Sequence, residues 1–324
     1  MSAMSSNTIF LVAPLFIRDV SSQLEWSYSY QTQWPGACKT GKQQSPINIM
    51  SRQAVFDKEE GHIHGPLVLR GYRDVTVTSV NNGHTLRWDA VPDLVAPVMS
   101  GGPLSGNYTF MQFHLHWLSE HAIDGMKYPL EIHMVHMKTG LTVDEAVLRP
   151  DGLAVIGVMC EIYSKNEESE HALEEIMPAV PGLIDPQARM AEPTSIDLTR
   201  LLSPDPQSYY TYHGSLTTPL CQEAVTWIVM DKPITISDDQ YQEITKADVG
   251  GRDNYRSLQP VNRVVYRSLA SCSSIIAPSL IGTLFAIVHC LSSTFGAGVN
   301  KGICLIGNFK RRLFGDSVKQ CAKL

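Results

Sequence analysis

The ten residues from Tyr108 to Trp117 restrict the fold more than any other part of the sequence. They read as a β-strand, whose successive side chains point to opposite faces, and from Met111 to Trp117 apolar and polar residues alternate. Gln112, His114 and His116 share one face. The other face is wholly apolar and is therefore predicted to be core; it consists of Met111, Phe113, Leu115 and Trp117.

The two imidazoles of this strand have a natural third partner. Side chains two residues apart on a strand project in parallel, with Cα atoms about 6–7 Å apart. Glu131–His136 reads as a second strand in which Glu131, His133 and Val135 share one face and His136 lies on the other. If the two strands are neighbours, His133 joins His114 and His116, and three imidazoles with one open position are typical of a catalytic zinc site.

A lone His-x-His on a strand is more often a pair of ordinary polar-face histidines than a metal site. A second such pair, His62 and His64, lies among Gly61, Gly65 and Pro66, and we interpret it as exposed loop. The first pair differs because Gln112 and Glu131 lie on the faces where a metal-bound imidazole needs an acceptor for its other ring N–H.

Residues from about 25 to 267 form one compositionally even, strand-rich region. Two helices are predicted, Ser169–Ile176 and Ser237–Ala247, the second with a serine cap and acidic residues in its first turn. The strands follow alternating β-branched and aromatic stretches, namely Val75–Val80, Thr85–Ala90, Tyr108–Trp117, Glu131–Met137, Ala154–Ile162 and Ala224–Met230. A hydrophobic fraction of 44% with 18% charged residues excludes a disordered chain, a coiled coil and a polytopic membrane protein.

The two ends differ from this body, so we divide the chain into residues 1–23, 24–271 and 272–324. The first segment is interpreted as either a weak signal peptide or a loosely docked arm, because no basic residue precedes its apolar run and Pro14 interrupts it. In the last segment, residues 275–291 are apolar and a basic stretch follows, which predicts either a membrane contact or an extension without one.

The charge distribution argues against nucleic acid as a partner. The net charge is −6, and because the tail after Cys272 carries about +5, the remainder of the chain is clearly acidic. Phosphate recognition needs a basic footprint. The seven cysteines contain no Cys-x-x-Cys pair, so neither a zinc ribbon nor a thioredoxin-like site is indicated.

With these residues in view, the body from Trp26 to about Arg267 closely resembles the α-class carbonic anhydrases. The motifs are long and occur in the order of that family: Gln44–Ile49, Asn81–His84, Gln112–Trp117, Ser119–His121, Glu131–His136 and Gly214–Pro219. The resemblance implies a mainly β fold with short helices, a single α+β domain built on a large twisted, mostly antiparallel central sheet, with zinc in a conical cleft. It also implies reversible hydration of carbon dioxide to bicarbonate and a proton.

The resemblance further implies a role for each site residue. His114, His116 and His133 would be the zinc ligands, and Gln112, Glu131 and the carbonyl of Asn254 would accept hydrogen bonds from them. Thr217 would accept a hydrogen bond from zinc-bound hydroxide, the nucleophile, and would donate to Glu120, while His84 would be the proton shuttle. The apolar pocket for carbon dioxide would be formed by Val135, Val155, Leu216 and Trp227, and the polar lining that orders water by Tyr28, Asn82 and Thr218.

The sequence departs from the family pattern at two places, the connection from Trp117 to Ser119 and residue His213. Only Leu118 separates Trp117 from Ser119, where many animal members carry a longer loop, and this shortening bears on the position of Glu120. His213 stands where proline is usual, and we interpret it as an exposed turn residue.

In exported members, a cysteine before the Gln-Ser-Pro motif pairs with one after the Thr-Thr-Pro motif. Cys38 and Cys221 match these positions, which favours a disulfide and a secreted or extracellular-facing protein. The alternative is two reduced, buried cysteines in a cytoplasmic enzyme.

Sulfonamide-type inhibitors are expected to bind if the resemblance holds. Two rival functions remain open at this point: a binding or matrix-associated module with secondary catalysis, and a zinc hydrolase.

Overall fold

The computed structural model describes residues 26–57, 61–92, 94–163 and 172–268. The interpretations of residues 1–23 and of segment 275–291 concern parts outside the described residues. None of the helices in the described ranges combines the length and the apolar character that crossing a bilayer requires.

Strands dominate the architecture. They are β1 Asn48–Ile49, β2 Val55–Phe56, β3 His64–Arg70, β4 Val75–Asn81, β5 Leu86–Ala90, β6 Val98–Gly102, β7 Tyr108–His116, β8 Ala122–Ile123, β9 Leu130–Lys138, β10 Leu153–Ile162, β11 Thr194–Ile196, β12 Tyr209–Gly214, β13 Val225–Met230, β14 Ile234–Ile236 and β15 Tyr266–Arg267. The six predicted strands correspond to β4, β5, β7, β9, β10 and β13.

Helices are few and short. The α-helices are α1 Ala37–Thr40, α2 Val143–Ala146 and α3 Asp238–Ile244, and 3-10 helices span Tyr28–Gln33, Met177–Leu183 and Leu198–Leu201. The helix predicted at 237–247 is present as Asp238–Ile244, so it ends three residues earlier than predicted. At its cap, the Ser237 side chain accepts from the Gln240 N–H and the Gln240 side chain accepts from the Ser237 N–H. The helix predicted at 169–176 is wrong where it is described, since residues 172–176 form turns and the 3-10 helix begins only at Met177.

Thirteen of the described strands form one sheet, whose main path runs β11-β4-β5-β7-β9-β10-β13-β12-β15-β2. Most neighbouring pairs are antiparallel, and β13 and β14 pair with β10 in parallel. The fold class is therefore as predicted. Strands β7, β9 and β10 lie in the middle of this path.

The core lies on both sides of the central strands. On one face Trp88 stacks on Phe113 with ring centroids 4.9 Å apart, and both are buried among Leu115, Ile132 and Met134. A second cluster on the other side includes Val155, Tyr212, Val225, Trp227 and Val229. Burial of aromatic and aliphatic side chains on both faces fixes the register of β7 and β9, because a slip by one residue would turn the histidines into the core.

Candidate metal centre and active-site cavity

The register of β7 and β9 brings the three predicted histidines together. His114 lies directly opposite His133, and His116 lies opposite Glu131. The imidazoles of His114, His116 and His133 offer nitrogens that lie within 4.8 Å of one another. His116 and His133 are buried, each about 1% exposed.

Each of these imidazoles uses one ring nitrogen on a neighbouring acceptor. Nδ1 of His114 lies 2.9 Å from Oε1 of Gln112, and Nδ1 of His116 lies 2.6 Å from the carbonyl oxygen of Asn254. Nε2 of His133 lies 2.7 Å from Oε1 of Glu131. All three predicted acceptors are thus placed at the predicted histidines, and the other nitrogen of each ring is left for a further partner.

One buried imidazole nitrogen lacks a hydrogen-bond partner within the described ranges, which indicates whether a metal fits here. Nε2 of His116 is buried and has no hydrogen-bond partner among the described residues, and the same is true of Oε2 of Glu120. The two atoms are 3.6 Å apart, too far for a hydrogen bond. Burial lowers the pKa of His114 and of His116, so both rings are neutral at neutral pH and keep a lone pair. Unpaired, neutral nitrogens around one point suit a zinc ion.

Glu131 also has partners that the sequence analysis did not name. Its carboxylate accepts from the backbone N–H of His121 at 2.8 Å and lies 2.8 Å from that ring's Nδ1. The Nε2 of His121 lies 2.6 Å from the hydroxyl of Tyr212, which lies 3.1 Å from that of Ser45. His121, Glu131 and His133 thus also group closely, but hydrogen bonds already occupy the facing atoms.

Glu120 is fully buried in spite of the short connection at Leu118. Its Oε1 accepts from the backbone N–H of Arg256 at 2.7 Å, and the Arg256 guanidinium binds Oε1 of Gln44 at 2.9 Å. Thr217 is buried nearby in the cavity wall, but no hydrogen bond joins it to Glu120 among the described residues. Oε2 of Glu120 therefore remains the acceptor without a donor.

A cavity of about 170 Å³ opens onto the three histidines. Its apolar wall includes the four residues predicted to hold carbon dioxide, Val135, Val155, Leu216 and Trp227. Its polar wall includes Tyr28, Asn82, His84, Gln112 and Thr218. The structure thus places each residue of the predicted substrate pocket in one cavity with the histidines.

The position of His84 follows from its turn. Oδ1 of Asn82 accepts from the backbone N–H groups of His84 and Thr85, each at 2.9 Å, and Gly83 takes a φ of 83° that favours glycine. The imidazole is half-buried and stacks on Trp26 with centroids 3.8 Å apart. His84 therefore stands in the cavity wall, supported by a residue of the N-terminal part of the domain.

Met111 does not lie where the alternation predicted. The register of β7 against β9 shifts between Phe110 and Gln112, so Met111 sits at a bulge and lines the cavity instead of entering the core. His213 is exposed as predicted, but it belongs to β12 and not to a turn. His62 and His64 are exposed, and His64 begins β3.

A disulfide joins Cys38 of α1 to Cys221, across 183 residues of sequence. Beside it, the backbone N–H of Ala37 donates to the carbonyl of Leu220 at 3.0 Å. The bridge therefore ties the N-terminal part of the domain to the segment that follows Thr217 and Thr218.

Comparison with known proteins agrees with this geometry. The sequence profile of the eukaryotic-type carbonic anhydrase family matches residues 22–269. The chain is 34% identical over 285 residues to a putative carbonic anhydrase 5 of Caenorhabditis elegans, covering 80% of this chain and 87% of that protein. It is 37% identical over 245 residues to carbonic anhydrase 7 of Mus musculus, covering 70% of this chain and 89% of that protein.

The chain therefore belongs to the eukaryotic-type carbonic anhydrase family. As such it is a carbonate dehydratase, a lyase that acts on carbon dioxide and bicarbonate.

Proposed function

We propose that this chain hydrates carbon dioxide reversibly with one zinc ion held by His114, His116 and His133. The observation that carries the proposal is the convergence of the three imidazole nitrogens within 4.8 Å, with a hydrogen-bond acceptor on the second nitrogen of each ring. A zinc ion bound there supplies a Lewis acid that activates water near neutral pH.

Thr217 and Glu120 are proposed to orient the attacking water. A threonine hydroxyl carries one hydrogen to donate. If it donates to Oε2 of Glu120, its oxygen accepts from the water, which turns a lone pair of that water towards the substrate. Oε2 of Glu120 is buried without a donor among the described residues, so it is the acceptor that this arrangement needs.

Carbon dioxide is proposed to lie against the apolar wall formed by Val135, Val155, Leu216 and Trp227. The substrate has no net charge, and Val155 and Trp227 are about 2% exposed, so this wall suits it better than a polar one. Tyr28, Asn82 and Thr218, on the polar side, are proposed to order the water between the histidines and the cavity mouth.

His84 is proposed to carry the proton away after the chemical step. Histidine is the side chain that gains and loses a proton near neutral pH, and His84 lines the same cavity as the three proposed ligands. Its stacking on Trp26 holds it in the wall instead of among the ligands.

The test is metal content and hydration activity of His114→Ala, His116→Ala and His133→Ala. Each variant is expected to lose stoichiometric zinc and hydration activity, and His62→Ala, an exposed histidine away from the cavity, serves as the matched control. Stoichiometric zinc in any of the three variants would refute the ligand set. Loss of wild-type activity on chelation, and inhibition by a sulfonamide, would separate this function from a binding module.

The domain boundaries and the location are also proposals. The family match at 22–269 supports a catalytic domain at 24–271 between the two end segments. The disulfide between Cys38 and Cys221 supports folding in an oxidising compartment and export, with a cytoplasmic location as the alternative outcome.

A further inference from the structure

One charged side chain lines the active-site cavity. Among the described residues of the lining, Arg87 is the only Asp, Glu, Lys or Arg. A guanidinium stays protonated at every physiological pH, so Arg87 gives the cavity wall a permanent positive charge.

The sheet fixes where Arg87 lies. It is the second residue of β5, whose Leu86 and Trp88 are buried in the core, so Arg87 and Asp89 project from the opposite face. In the antiparallel pair of β5 and β7, Arg87 lies directly opposite His114, and Asp89 lies opposite Gln112. Arg87 is therefore beside the first proposed zinc ligand, on the polar wall.

Arg87 forms an ion pair with Asp89 that involves only one nitrogen of its guanidinium. Nε of Arg87 lies 3.0 Å from Oδ1 of Asp89, and both side chains are 22% exposed. The contact is an ion pair by distance, because Nε makes no hydrogen bond among the described residues. A guanidinium has five N–H donors, and the two terminal nitrogens carry the four that can meet a planar acceptor. Among the described residues, Arg87 lines the cavity and Asp89 does not, so the positive partner of the pair is the one that a ligand in the cavity can reach.

We propose that Arg87 forms an anion-binding subsite on the polar wall of the cavity, which takes the carboxylate of a ligand held at the three histidines. This inference rests on the proposed function, because the histidines must hold the other end of such a ligand. The planar fork of arginine matches a carboxylate in two parallel hydrogen bonds, which a lysine cannot reproduce.

Benzenesulfonamides with a carboxylate or a neutral carboxamide at the meta or para position provide the test. Their dissociation constants are measured by calorimetry on the zinc-loaded full chain, for wild type, Arg87→Gln, Arg87→Lys and the control Arg52→Gln. Arg52 is exposed and lies outside the cavity lining. Zinc content and the thermal midpoint of each variant establish that folding and metal loading are unchanged.

For at least one isomer, wild type is expected to bind the carboxylate more tightly than the carboxamide, and this preference should be about tenfold larger than in Arg87→Gln. Tenfold is the size of one charge-assisted hydrogen bond at a partly exposed site. Arg87→Lys should keep part of the preference, Arg52→Gln all of it, and salt should reduce it. A preference that is the same in wild type and Arg87→Gln for both isomers would overturn the subsite. If neither sulfonamide binds wild type at all, the proposed function fails instead.

Discussion

The carboxylate of Glu131 lies 2.7 Å from Nε2 of His133, and both side chains are buried. Burial alone would raise the pKa of this carboxyl, but the imidazoles of His121 and His133 hold it well below its usual range. Glu131 is thus an anion that fixes which nitrogen of His133 carries the proton, and it leaves Nδ1 to bind a metal.

Glu131→Gln is expected to weaken zinc binding by about 10- to 100-fold, because a neutral amide no longer increases the basicity of the His133 ring. Competition with a chromophoric chelator measures this. Glu174→Gln, at an exposed carboxylate on the surface, should bind zinc as the wild type does. Equal zinc affinity in both variants would contradict the role assigned to Glu131.

His84→Ala is expected to slow steady-state turnover in weak buffer and to leave carbon dioxide–bicarbonate exchange at chemical equilibrium nearly intact, since a shuttle acts after the chemical step. Added imidazole should restore turnover. Equal losses in both assays without rescue by any buffer would make His84 a structural residue.

Removing the disulfide with Cys38→Ser and Cys221→Ser together is expected to destabilise the protein by up to about 5 kcal/mol, because the bridge closes a loop of 183 residues. Urea unfolding with and without reductant measures the loss. The double variant should be insensitive to reductant, whereas the wild type should become sensitive. Peptide mapping of native protein that found both thiols free would remove the bridge and the argument for export.

His136 is expected to make the protein less stable in mild acid. Burial lowers its pKa to about 4 from an ordinary value of 6.5, while Tyr72 hydrogen-bonds its Nε2 at 2.6 Å. The unfolded chain binds this proton more readily, so stability contributed by neutral His136 is present above pH 6.5 and is lost as the pH falls towards 4, by roughly 3 kcal/mol.

His136→Gln removes the group that titrates, so its free energy of unfolding should depend less on pH between 6.5 and 4 than that of wild type. Urea titrations at several pH values with zinc in excess measure the slope. Parallel slopes for the two proteins would show that His136 does not contribute.

Much of the site could be predicted because period-2 alternation is a local property. Gln112, His114, His116, Glu131 and His133 were all assigned to the correct face from two short strands. The bulge at Met111 could not be predicted in this way, because it depends on how β7 pairs with its neighbours and not on the order of its own residues.

Contacts between segments far apart in the sequence could not be predicted from the alternation of polar and apolar residues. The carbonyl of Asn254 at His116 was assigned by family resemblance, since 138 residues separate the two. The link from His121 to Tyr212 was missed, although His121 stood in a recognised motif. The available signal was the place of His121 between Glu120 and Ala122 in that motif: a buried imidazole there must find a hydrogen-bond partner.

The placement of His114 and His133 on facing central strands has a consequence for how the enzyme is loaded. The sheet, its two-sided core and the acceptor on each ring hold these imidazoles in position. Binding of the proposed zinc ion would therefore order little more of the chain. In small zinc domains, by contrast, the metal drives folding. If the chain holds zinc as proposed, the ion would enter a site that the folded sheet has already assembled.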